Sequence, residues 1–311
     1  MKGKALLIWV AGVSGLWAQS KEMADSFVLP PSDPPPAAIS HEVEVDNSVT
    51  GGMDSRQGNR KVGEVSELQN KIRYVASTKL REDLLLRAGV EWERYSFGLP
   101  SQAPLPNTLQ STNLILGLDA NLSSQWLVRL EVSPGVYSDF EDIGWSDVNV
   151  PITLGASYFY SKDLQFFFGL SADFRREIPV LPGAGLRWKF AEQWTLMLLV
   201  PKPQIQYELL PNLMLYAGAE LKAGTYQVDR KFGTNHQQFG RGENIRLDDS
   251  SVDYQEVRAG VGASWKFHQA WSLEAETGAV VLRTFDFHDE DYRIKSSGVA
   301  PYGRLGVKAE F

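Results

Sequence analysis

From residue 84 to residue 311, apolar side chains recur at every second position in short runs broken by polar turns. A two-residue period is extended backbone with one face in an apolar medium and the other in a polar one. Run 84–97 carries Leu84, Leu86, Ala88, Val90 and Trp92 on one face, against Arg87, Gly89, Glu91 and Glu93. Run 126–137 sets Trp126, Val128, Leu130 and Val132 against Arg129, Glu131, Ser133 and Gly135. Ten further runs behave alike: 113–122, 150–160, 164–175, 180–190, 194–200, 203–209, 213–223, 257–267, 271–281 and 299–311. Twelve such runs predict an all-β chain and leave little room for helices.

The connections show what the two ends of the strands meet. Five are tight (123–125, 161–163, 191–193, 210–212 and 268–270), and they alternate with others that are mostly long, such as 98–112, 138–149, 224–256 and 282–298. Short turns at one end and long loops at the other are the pattern of a membrane barrel. Alternation alone does not say which face is outside, because a soluble barrel would turn its apolar face inward. The aromatic residues decide it. Trp126, Trp188, Trp194, Trp265 and Trp271 lie at or next to tight turns, with Phe190 and Phe267 beside them. An amphipathic ring is most stable at a water–lipid interface, so this grouping predicts a membrane girdle. The expected fold is a transmembrane antiparallel β-barrel of about 12 strands.

The region before residue 84 has a different character. Lys2 and Lys4 precede a largely apolar stretch, Ala5–Trp17, and Ala18 supplies a small residue for cleavage. That is the pattern of a secretory signal peptide over 1–18. LPPSDPPPAA (29–38) is stiff and extended by its prolines, and SVTGGMDSRQGNR (48–60) has little to bury. Residues 19–70 are therefore expected to be a disordered periplasmic tether without chemistry, and residues 71–311 the barrel. KIRYVASTKL (71–80) also alternates, through Ile72, Tyr74 and Ala76. Counting it gives 13 strands, whereas bacterial single-chain barrels have even numbers. A partner strand from 59–68 would make 14, the alternative to 12.

The chain stops at Phe311, behind Leu305, Val307 and Ala309 in alternation. With the export signal, the alternating runs and the turn asymmetry, this ending resembles a Gram-negative outer-membrane β-barrel across residues 84–311. The segment VLPGAGLRWKFAEQWTLMLLVPKPQIQYEL (180–209) resembles more narrowly a barrel family known only as a domain of unknown function, family 6268. The general resemblance implies placement in the cell outer membrane, contact with lipid and lipopolysaccharide, and delivery by the barrel-assembly machinery, which would read Phe311 as an assembly signal. The narrow one implies no activity and supplies no catalytic residues.

Composition removes several kinds of chemistry. Cys is absent, so disulfides, thiolate metal sites and Cys nucleophiles are excluded. A net charge of −7 argues against a nucleic-acid partner. His41 and His268 fall in the tether and a tight turn, and His236 and His288 in long loops, so none stands beside a strand serine as a catalytic pair requires. Neither an enzyme nor a cofactor is expected. Acidic clusters at 138–147 (Asp139, Glu141, Asp142, Asp147) and 285–292 (Asp286, Asp289, Glu290, Asp291) match no calcium-loop spacing, and no metal site is assigned. The inner phase is the informative part. It carries Arg87, Glu91, Arg129, Glu131, Arg187, Arg258, Glu274 and Arg304 among other charges of both signs, interspersed with glycine. Such a lumen is either a network of ion pairs filling a narrow interior or a charged constriction for a small solute. The expected function is accordingly a narrow passive channel or solute-specific porin. The alternative is a non-conducting structural, adhesive or partner-binding barrel.

Overall fold

The alternating runs form one continuous sheet in the structure, a computed structural model that describes residues 39–100, 103–230, 232 and 247–311. The expected signal peptide and the proline-rich stretch lie outside these residues, as does His236. The strands are β1 (Ile39–Gln57), β2 (Arg60–Arg81), β3 (Leu84–Gly98), β4 (Thr108–Asn121), β5 (Trp126–Val132), β6 (Gly135–Ser138), β7 (Val148–Asn149), β8 (Ile152–Phe159) and β9 (Leu164–Ala172). They continue as β10 (Val180–Ala191), β11 (Trp194–Leu198), β12 (Gln204–Leu210), β13 (Leu213–Gln227), β14 (Ser251–Trp265), β15 (Trp271–Phe287), β16 (Tyr292–Ser296) and β17 (Ala300–Glu310).

Three pairs, β5/β6, β7/β8 and β16/β17, are single staves with a short break, so the wall has 14 staves. Pro134 and Pro151 sit in two of the breaks, where a ladder donor is missing. Neighbouring staves are antiparallel throughout, and β1 pairs with both β2 and β17, which closes the ring. The last ladder bonds at this seam join the chain's end to its first strand: His41 N–H donates to Phe311 C=O at 2.7 Å, and Phe311 N–H to His41 C=O at 3.0 Å. A closed ring leaves no unpaired edge, which a bilayer requires.

The count is 14, the alternative to 12, and the first strands correct the tether. Residues 39–70 are not a linker; they form β1 and the first half of β2. In HEVEVD the acids Glu42, Glu44 and Asp46 point toward the interior and Val43 and Val45 outward. Asp46 is buried against Arg304, whose Nε donates to it at 2.6 Å. The same acids look like a solvated linker when their partners, some 260 residues away, are not in view.

The assignment of faces holds. Val90, Leu114, Leu116, Leu118, Leu154, Leu170 and Val261 are exposed on the outer wall, while Arg87, Arg129, Glu131 and Arg258 are buried inside. The five girdle tryptophans are all exposed near the tight-turn end and form ring contacts along the wall, including Trp126–Tyr158 at 4.9 Å and Trp194–Tyr207 at 4.8 Å. The inner phase is not polar everywhere, however. Phe167, Leu181, Met197 and Leu199 point inward from β9 to the end of β11 and pack as an apolar cluster with Leu127 and Phe159. That side of the lumen is lined with hydrocarbon, because LQFFFGL is apolar on both faces.

The other side of the lumen uses glycine to seat large rings. A Cβ at Gly260 would overlap the Tyr302 hydroxyl, and one at Gly262 the Tyr216 ring. Bare backbone at these two positions lets both tyrosines lie flat across the inner wall. The wall is also uneven in height. β11 and β12 are the shortest staves in this half of the barrel, and they meet only through Trp194–Met197 against Gln204–Tyr207.

Candidate functional site

The lumen holds two layers. At the long-loop end a mostly aromatic cluster closes the interior: Tyr95 and Phe97 from β3, Tyr226 from β13, Tyr254 from β14, Phe285 and Phe287 from β15, and Tyr292 from β16. Tyr95 and Tyr254 stand 5.0 Å apart, and Phe97 meets Phe285 edge-on at 5.1 Å. Burial of so many rings makes this layer a plug. The loops above it are clasped across the mouth. Asp139 Oδ2 accepts from Asp229 N–H at 2.9 Å, Asp139 N–H donates to Gln227 C=O at 3.1 Å, and Thr108 Oγ1 donates to Asp139 C=O at 2.9 Å. These bonds tie the loop after β6 to the end of β13, so that Ser138 and Gln227 pair although five staves lie between them. Burial raises the Asp139 carboxyl above its ordinary range, opposed by the amides that donate to it. Glu177 in the loop before β10 joins the same cover, accepting an ion-pair contact from Arg293 at 3.9 Å.

Below this layer most of the charges are paired. Glu256 accepts from Arg258 Nε and Nη2 at 3.0 and 2.6 Å, and from Arg283 Nε and Nη2 at 2.9 and 2.6 Å. Arg283 also meets Glu67 at 3.1 Å and donates to Val65 C=O at 3.2 Å. Tyr254 reaches both Glu67 and Glu256. Glu276 forms a second centre, accepting from Tyr216 at 2.8 Å and Lys202 at 3.0 Å, with Tyr302 and Arg304 beside it. Arg73, Arg87 and Glu131 form a third: Arg87 lies 3.4 Å and Arg73 3.9 Å from Glu131. Each centre gathers residues from several staves. Buried charges survive in this way, each cation held by at least one carboxylate.

All the lumen residues expected from the sequence face inward. Arg87 meets Glu131, Arg129 donates to Asp119 at 2.6 Å, Glu91 lies 3.1 Å from Lys71, and Glu274 lies 3.4 Å from Arg304. Arg258 sits on Glu256, and Arg187 is half-buried between Gln165 and Met197 of the neighbouring staves. Sequence reasoning missed Asp46 and Glu67, which lie in the supposed tether, Arg73, which lies in the unassigned strand-like segment 71–80, and Glu256 and Arg283, which lie just beyond the ends of their runs. The acidic loops are engaged locally: Asp286 holds Arg293, and Asp147 accepts from Gly144 N–H at 2.8 Å. His41 Nδ1 is 2.9 Å from the Tyr74 hydroxyl, and His288 lies 3.6 Å from Asp253. Among the described residues no group of three or more potential ligands is arranged to hold a metal ion.

Two cavities remain in this packing. One, of about 70 Å³, lies beneath Tyr95 between β1, β2 and β13. The other, of about 100 Å³, lies beside it under Tyr137 and Tyr226, and the two share Glu93 and Ala223 in their walls.

A closed ring with hydrocarbon outside and ion pairs inside is a transmembrane β-barrel. The chain belongs to the family defined by a domain of unknown function, DUF6268, which matches residues 87–295. No curated protein matches the sequence. Among solved structures the chain is similar to an outer-membrane channel from Pseudomonas putida F1, at 12% identity and a TM-score of 0.48, covering 91% of this chain and 100% of that one. It is also similar to the toluene transporter TodX of Pseudomonas putida (11% identity, TM-score 0.40, 89% and 90% covered). A third likeness is the translocator domain of the autotransporter NalP from Neisseria meningitidis (13% identity, TM-score 0.37, 97% and 99% covered).

Proposed function

We propose that this protein is an outer-membrane barrel that passes one class of small solute along a narrow path. Its tryptophan girdle would rest at the periplasmic headgroups, its loops would face lipopolysaccharide, and Phe311 would serve the assembly machinery. The observation that carries the reading is the pair of adjoining cavities in the lumen, closed above by the aromatic layer and the Asp139 clasp. Fourteen staves lie between barrels whose side chains fill the interior and the wide channels of general porins. A path of this kind conducts weakly and selects by size and charge. The paired charges that span the lumen, such as Tyr254 with Glu67 and Lys202 with Glu276, favour a second reading, a non-conducting barrel whose loops bind a partner.

Planar-bilayer recording on refolded protein separates the two. The wild type should show small conductance steps, well below those of a general porin. Asp139→Ala removes the acceptor for Asp229 N–H and frees one loop from the mouth, so open events should become several-fold more frequent. Silence in both proteins, with folding shown by heat-dependent electrophoretic mobility, would leave the non-conducting reading.

A further inference from the structure

We propose that the cavity beneath Tyr95 is a binding site for a small organic carboxylate, with Lys222 as its anchor. This rests on the reading of the lumen as a solute path and names the class of solute. Four cations line the cavity, and three are already held. Lys202 donates to Glu276 at 3.0 Å, Arg304 donates to Asp46 at 2.6 Å, and Lys71 lies 3.1 Å from Glu91. Lys222 is different. It is 8% exposed, and its ammonium has no hydrogen-bond acceptor among the described residues. Its contact is with the face of the Tyr95 ring, 5.9 Å from the centroid.

A buried ammonium with three donors and no acceptor is costly unless an anion or water completes it. The acids Glu220, Glu256 and Glu67 act on Lys222 across space, and none accepts a hydrogen bond from it. Glu93 accepts from Gln69 at 2.6 Å and from Tyr95 at 2.8 Å, and Glu220 faces Arg258 at 3.8 Å. A carboxylate entering the cavity would therefore meet an ammonium whose hydrogen-bond donors are not yet used, in a setting dry enough to make the bond strong. The rest of the wall suits the body of such a molecule. Tyr95, Pro201, Leu221 and Ala223 offer apolar surface, and the adjoining cavity continues toward Tyr226 and Tyr254. A charged head at Lys222 with a compact apolar or aromatic body beside Tyr95 matches both halves of the site.

The test is calorimetric titration of the refolded full chain in detergent with sodium benzoate, benzylammonium chloride and sodium chloride, at constant ionic strength. Benzoate should bind saturably, and the other two should not. Lys222→Met should weaken benzoate binding about tenfold or more, and Lys222→Arg should keep most of it, as expected for loss and retention of one charge-assisted bond. A measurement that needs no variant runs alongside: benzoate should protect Lys222 from acylation by an amine reagent, read by peptide mass spectrometry. Absence of saturable benzoate binding, equal affinity in Lys222→Met, chloride or benzylammonium binding as tightly, or unprotected acylation of Lys222 would each overturn the proposal. Conductance is scored separately. Binding without conductance leaves the site and removes the path, whereas conductance without binding removes the site alone.

Discussion

Glu256→Ala should destabilise the barrel by about 3–5 kcal/mol, the typical cost of removing one partner from a buried ion network. Glu256 is fully buried and takes four hydrogen bonds from two guanidinium groups. Without it Arg258 and Arg283 face each other across the space it leaves. Arg258 keeps Glu220 at 3.8 Å and the face of Tyr302, which is weak compensation. Arg283 keeps Glu67. Denaturant unfolding in detergent micelles, followed by tryptophan emission, measures the loss. Glu256→Gln keeps the shape and two polar atoms, so it should fall between the wild type and the alanine variant. A triple replacement of Glu256, Arg258 and Arg283 by apolar residues of similar volume should recover much of the stability, because the cost lies in the stranded charges rather than in the missing pair. If Glu256→Ala is nearly neutral, the network is solvated and the lumen wetter than described.

Leu118→Arg should cost about 2–4 kcal/mol, the range for an arginine at the midplane on the lipid face of a barrel. Leu118 is 40% exposed on the outer wall, between Leu86 of β3 and Leu130 of β5. A guanidinium there has no lumen acceptor to reach and can only stretch toward one interface. Asn121→Arg, three residues along at the tight-turn end, places the same group where water is near and should be several-fold less costly. Folding yields into lipid vesicles, compared for the two variants under identical conditions, give the order. The reverse order would invert the assignment of inside and outside.

Much of this architecture was legible in the alternation. The faces of β3 to β5, the tight-turn end and the gathering of tryptophans near it all follow from positions two apart and from where the rings cluster. The first stave was not legible and the second only in part, because their inner phase carries Glu42, Glu44, Asp46 and Glu67 and their outer phase is only weakly apolar. A strand whose charges point into a lumen looks like a solvated linker until Arg304, Arg73 and Arg283 are placed opposite. Arg283 escaped for another reason. A bulge leaves Val281 unpaired between Val280, opposite Arg258, and Leu282, opposite Val257. The extra residue shifts the phase, and alternation read straight through it puts the following side chains on the wrong face. The unpartnered state of Lys222 depends on which acids come within reach, and no spacing along β13 contains that information.

A ring under internal agitation yields first at its thinnest section, and here that section is between β11 and β12. The ladder there is a handful of rungs, while β13 and β14 are joined along their whole length. Amide exchange should therefore vary around the circumference, fastest at Thr195 to Met197 and Gln204 to Gln206, with the long hairpins of β1–β2 and β13–β14 exchanging only as the whole barrel opens. Thermal breathing would be concentrated in one quadrant, next to Lys202 and the apolar inner face around Leu199. The rest of the hoop would act as a rigid frame for that one compliant sector.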